Sequence, residues 1–253
     1  MRRPLGAVLA LGLAIAVAIG AAAGLRPVDS QAKGAAGRPV VLAAASLSQV
    51  LPRISADARA SFGGSNQLAQ QIRQGAPFDV FLSASPRYTQ ELYADGLVRK
   101  PVAFATNSLV LIVPRRNPAG IRSVADLARR GKLRLVVAGP AVPIGLYTRE
   151  VLKRMGLLRV LRKAVSLEPD VKGIVGKVAL GEADAGFVYA TDVAPVRDKV
   201  RAISIPARAQ PTARYELAVA AEPLDLEAAQ ELVIAILGPD GRRALRAAGF
   251  GQT

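Results

Sequence analysis

Val40-Val41-Leu42-Ala43-Ala44-Ala45-Ser46-Leu47-Ser48-Gln49 begins as a β-branched apolar run, narrows to three alanines and opens into polar residues at Ser46. That order predicts a buried strand over residues 40–45 turning sharply into a short helix over 47–58. A strand followed by a helix is predicted again downstream, without any internal sequence repeat. After Gly75-Ala76-Pro77, residues 78–83 read as a strand and 86–94 as a helix closed by Asp95-Gly96. Further strands are predicted over 109–113, stopped by Pro114, and over 133–138, 185–189 and 215–220. Helices are predicted over 66–73, 124–130, 146–155, 171–180, 226–237 and 241–248. Such alternation implies an α/β protein of mainly parallel sheets with helices on their faces. Ligands then bind at the carboxyl ends of the strands, where loops enter helices.

The 253 residues suit one large or two small domains. Hydrophobic residues are 51% and charged residues 21%, enough apolar material for a packed core. The absence of Cys and His removes thiol nucleophiles, disulfides, Cys/His zinc sites and most hydrolase triads. The formal charge of +15 favours anionic partners, but the basic residues are dispersed and are not interleaved with the 5 Tyr and 6 Phe. That pattern reads as a solvated basic face and against nucleic-acid binding.

Residues 1–24 read as a secretory signal peptide. Arg2 and Arg3 precede an uncharged run from Leu5 to Leu25, with Ala21-Ala22-Ala23 as a small-residue cleavage site. An uncleaved anchor is the alternative, since about 20 apolar residues can span a bilayer. Residues 25–38 form a polar linker. Removing Arg2 and Arg3 takes +15 to +13, so the basicity belongs to the exported chain. With no Cys to carry a lipid, a soluble periplasmic protein is expected.

Five corners attract attention. Ser46 stands where an N-cap would, with Gln49 at capping-box spacing. Ser65 follows Gly63-Gly64 at a helix start, and Ile144 lies in the loop Gly139-Pro140-Ala141-Val142-Pro143-Ile144-Gly145, where Gly145 tolerates unusual dihedrals. Asp170 can cap a helix and so orient the N–H of Val171; Tyr189 ends a strand at the edge of its sheet. Each alone is an ordinary turn, cap or core residue. Together they supply hydroxyl and amide donors, and an all-donor pocket suits a fully deprotonated oxyanion.

Four segments, Ala43-Ala44-Ala45-Ser46-Leu47, residues 75–84, Val142-Pro143-Ile144-Gly145-Leu146-Tyr147 and residues 181–189, resemble the molybdate-binding extracytoplasmic proteins of ABC transporters. The resemblance extends from about Val40 to Phe250. It implies a type II periplasmic-binding fold, two α/β lobes joined by crossing strands with the ligand in the cleft between them. Lobe 1 would comprise 39–106 and 214–253 and lobe 2 107–213, with crossings at Asn107-Ser108-Leu109 and Tyr215-Glu216-Leu217. The implied ligand set is Ser46, Ser65, Ile144, Val171 and Tyr189, holding molybdate or tungstate as an oxyanion, with no cofactor and no catalysis. The implied partners are permease subunits with their ATPase, and the expected state is monomeric. Asp79 is expected to be structural, because a carboxylate facing a dianion is unfavourable. The chain departs from the family in a shortened 46–65 segment containing Pro52, in Ile144 for a small residue, and in Gly63-Gly64 where a serine often stands. A sulfate receptor, a Ser46-dependent transferase and a basic surface-binding protein are the rival readings.

Overall fold

A computed structural model describes residues 37–253; the leader and residues 25–36 of the linker lie outside the described residues. The chain runs β1 (Val40–Ala44), α1 (Leu51–Ile54), β2 (Arg59–Gly63), α2 (Ser65–Arg73), β3 (Val80–Ser83), α3 (Pro86–Ala94) and β4 (Val102–Asn107). It continues as β5 (Leu109–Pro114), α4 (Asp126–Arg129), β6 (Leu135–Ala138), α5 (Pro143–Arg154), β7 (Ala164–Glu168), α6 (Val171–Ala179), β8 (Ala185–Tyr189) and β9 (Val200–Ser204). It finishes with β10 (Ala213–Val219), α7 (Leu226–Leu237) and α8 (Pro239–Ala247).

Two five-stranded sheets result, ordered β2-β1-β3-β10-β4 and β7-β6-β8-β5-β9. Within each, three strands are parallel (β2, β1, β3 and β7, β6, β8), while β10 and β5 pair antiparallel with their neighbours. The sheets are therefore mixed, where the alternating pattern predicted mainly parallel ones. The parallel strands aim their carboxyl ends, and the loops that follow, at the space between the sheets. These are two α/β lobes of the periplasmic-binding type.

The core follows from strand composition. All residues of β3, β6 and β8 are buried, as continuous apolar runs require when helices cover both faces. Asp79 carries a structural load at the start of β3: Oδ2 accepts the Val40 N–H at 2.7 Å and Oδ1 the Asp225 N–H at 2.8 Å. It thereby joins β1, β3 and the cap of α7.

The lobes are linked by closely spaced crossings. Only Ser108 separates β4 from β5, and Ala213 at the start of β10 pairs with Asn107. Alongside them, the Gln210 side chain accepts the Leu109 N–H at 3.0 Å and donates to the Leu109 carbonyl at 2.8 Å. Tyr215 already lies inside the first sheet, so the return crossing precedes the segment the sequence suggested.

Local structure departs from expectation most around Pro52. In place of a helix over 47–58 there is a 3-10 turn at Ala45–Leu47 and a four-residue α1 with Pro52 in its first turn, where its missing N–H costs nothing. The unpredicted β2 follows directly. Strands β4, β7 and β9 were also unpredicted.

Candidate functional site

Helices α2, α5 and α6 begin at the gap between the lobes, and a helix start carries N–H groups without intrahelical acceptors. At α6 the Asp170 carboxylate takes the Lys172 and Gly173 N–H groups at 2.7 and 3.2 Å, leaving that of Val171, the first helical residue. At α5 the helix begins at Pro143, earlier than predicted, so Ile144 belongs to the first turn. Gly145 is helical with no positive φ. Its role is space: a Cβ there would stand 2.1 Å from the Gly139 carbonyl oxygen, so only glycine lets α5 start this close to the end of β6.

These starts border a cavity of about 20 Å³, lined from one lobe by Ala44, Ala45, Ser46, Gly63 and Gly64. The other lobe contributes Val142, Pro143, Ile144, Asp170, Val171 and Tyr189. Its volume is on the scale of a small polar group and far below that of a sugar or peptide site. Among the described residues no Lys or Arg lines it. Positive potential comes instead from the helix starts, each equivalent to about half a charge.

The Tyr189 hydroxyl is buried and has no hydrogen-bond partner among the described residues. Burial, followed by the neighbouring Tyr215, Tyr147 and Asp192, holds its pKa well above the ordinary phenol value, so it stays a protonated donor. Its ring is held edge-to-face between Tyr147 and Tyr215, at centroid distances of 6.4 and 5.8 Å. Below it Lys172 Nζ meets the buried Asp192 carboxylate at 2.8 Å, bracing the first turn of α6 to the turn after β8.

Ser46 does not cap a helix. It lies inside the 3-10 turn with Ala44 in the capping position, and its Oγ is 2.8 Å from the Tyr215 hydroxyl. It also borders a larger cavity of about 240 Å³ that includes Gln49, Arg53 and Thr191. Ser65 opens α2 and is buried, but the cavity lining stops at its neighbour Gly64. Ser65 Oγ accepts the Ala84 N–H at 3.1 Å, which leaves its own proton to donate. The structure thus gathers Ser46, Ile144, Val171 and Tyr189 on one cavity and sets Ser65 beside it. Tyr215 and Gly64 were missed as contributors. A tyrosine 169 positions from Ser46 gives no local signal, and Gly63-Gly64 read as a turn open to close backbone approach, with nothing local to say what would approach.

The lobes also touch across the cavity. The Tyr88 hydroxyl of α3 donates to the Ala141 carbonyl, and a Cβ on Gly64 would stand 2.4 Å from the Pro169 carbonyl oxygen.

Comparison with known proteins agrees with this architecture. The chain is 36% identical over 223 residues to the molybdate-binding protein ModA of Mycobacterium tuberculosis, covering 84% of each chain. It is 30% identical over 202 residues to that of Escherichia coli, covering 72% of this chain and 77% of the relative. In fold it is similar to the periplasmic molybdate-binding protein of Azotobacter vinelandii, with a TM-score of 0.76 at 22% identity over 85% of this chain and 100% of that one. It is also similar to the sulfate-binding protein SubI of M. tuberculosis, with a TM-score of 0.71 at 18% identity over 86% and 87% of the two chains. The family described as bacterial extracellular solute-binding protein matches residues 13–251. The chain therefore belongs to the bacterial extracellular solute-binding proteins.

Proposed function

We propose that this protein is a non-enzymatic receptor that captures molybdate, and tungstate with it, for import by an ABC permease and its ATPase. The observation that carries the reading is the partnerless Tyr189 hydroxyl at a small interlobe cavity bordered by the starts of α5 and α6. Ser46, Ser65, Ile144, Val171 and Tyr189 are the ligand set, two of them through main-chain N–H groups. Three helix starts offset about 1.5 charges of a dianion, so no cation need line the cavity. Asp170 borders the cavity, but one of its oxygens is engaged by the α6 amides. The relatives named for molybdate support the choice of anion. Residues 39–106 with 214–253, and 107–213, are the lobes that close on it. The mature protein acts as a periplasmic monomer after removal of the leader.

The test is a thermal-shift and calorimetric panel of molybdate, tungstate, sulfate, phosphate and nitrate on the mature chain. Molybdate and tungstate at 100 times their Kd should each add about 2.7 kcal/mol of stability. Ser46→Ala combined with Tyr189→Phe should abolish most of that gain while the apo protein remains folded. Preference for sulfate replaces the reading with that of a sulfate receptor, and an undiminished shift in the double variant removes these residues from the ligand set.

A further inference from the structure

Among the described residues no ion pair joins one lobe to the other. Among the same residues, away from the crossing strands, one hydrogen bond within 3.5 Å does so, from the Tyr88 hydroxyl of α3 to the Ala141 carbonyl. Each end of this bond is held by its own lobe. The Tyr88 ring belongs to the lobe 1 core with Leu42, Phe81 and Leu92. The next two residues, Thr89 and Gln90, both donate to the Glu216 carboxylate of β10, at 2.6 and 3.2 Å. Ala141 sits in a tight turn closed by the Val142 N–H on the Gly139 carbonyl at 3.0 Å, just before the first turn of α5. Among the described residues no main-chain N–H donates to the Ala141 carbonyl. The Tyr147 hydroxyl of α5 lies near Ser85 and Arg214 of lobe 1 without a hydrogen bond of that length.

We propose that Tyr88 is a positioning residue that latches the lobes in the closed form, setting how long a captured anion is held without choosing among anions. Opening carries α3 away from the turn before α5, so the bond exists only when the lobes are closed, and both of its groups meet water when they part. One hydrogen bond exchanged with water in this way is worth about a three- to tenfold change in the closed-to-open ratio. Apparent affinity scales with that ratio, because only the closed form encloses the ligand. Tyr88 does not line the cavity, so its contribution is blind to what the cavity holds. A buried ring on a helix tied to β10 also limits the entropy lost when the bond forms. The inference rests on the receptor reading and adds the group that holds the receptor shut.

Tyr88→Phe keeps the ring and removes the donor, with circular dichroism and apo melting as checks of the fold. If that variant melts early, Tyr88→Met supplies apolar bulk without a donor. Association and dissociation rates are measured by stopped flow for molybdate and for tungstate. Encounter takes place in the open form, where the latch is undone, so association should stay within about twofold of the unmodified rate. Dissociation requires reopening and should accelerate about three- to tenfold, equally for both anions. The same factor should appear in a Ser46→Ala background, because the latch does not act through that ligand group. Unchanged dissociation, a loss confined to association, unequal factors for the two anions, or a factor that vanishes without Ser46 overturns the proposal. An unmodified protein that binds neither anion removes the receptor reading, whereas one that binds and releases at the variant's rate removes only the latch.

Discussion

Tyr189 shows how a single residue can be set up for binding at the expense of stability. Among the described residues its buried hydroxyl has no partner, a state that costs about 1–3 kcal/mol until something accepts its proton. Tyr189→Phe should therefore raise the unfolding free energy of the apo protein by about 1 kcal/mol while weakening anion binding about tenfold, read by urea denaturation and by titration. A loss of apo stability would mean that the hydroxyl is satisfied in the free protein. The position of Tyr189 was legible, because a strand of apolar residues ending in a tyrosine announces a polar tip at a sheet edge. Its company was not. Ser46 looked like a cap because Gln49 follows at the right spacing, yet its hydroxyl instead meets that of Tyr215, from far along the chain.

Among elements, those with strong internal patterning match expectation: α3 and α7 occupy the predicted residues, β8 is Ala185–Tyr189, and α6 starts at Val171 behind its Asp170 cap. Those missed are edge or crossing strands. Strand β2 is largely exposed along its length, and β7 alternates half-buried with exposed, so neither shows the continuous apolar run of a central strand. Strand β7 is tied to α6 by Glu168, which accepts from Lys177 at 2.6 Å and from Ser166 at 2.5 Å. Burial alone would raise the pKa of Glu168, but the Lys177 and Ser166 hydrogen bonds outweigh it and hold the folded-state value below normal. The stabilisation is therefore fully present above the unfolded pKa of about 4.3 and is lost as pH falls through the lower folded value. Glu168→Gln should destabilise the protein above about pH 5 and approach the unmodified protein below about pH 3, measured as the denaturant midpoint across that range. A difference independent of pH would place the effect in packing instead of charge.

At the scale of the whole molecule, the two-lobe plan was legible from the βα alternation and the resemblance, while the contacts between lobes were not, because they join segments far apart in sequence. Gly64 is the clearest case. Its missing Cβ lets the start of α2 lie against Pro169 of the opposite lobe. Gly64→Ala should leave apo melting nearly unchanged, since either lobe can fold around it, but should lower anion affinity at least about tenfold by holding the lobes apart. Small-angle scattering should show ligand-induced compaction in the unmodified protein and none in the variant; compaction of equal size in both would show that the approach at Pro169 is not needed. The crossing strands constrain how such motion can occur. Because Gln210 grips both main-chain groups of Leu109, the paired connections are pinned to each other and cannot twist separately. The jaws should swing about one shared axle, so that every opened shape belongs to a single family of angles and the mouth always parts on the same side.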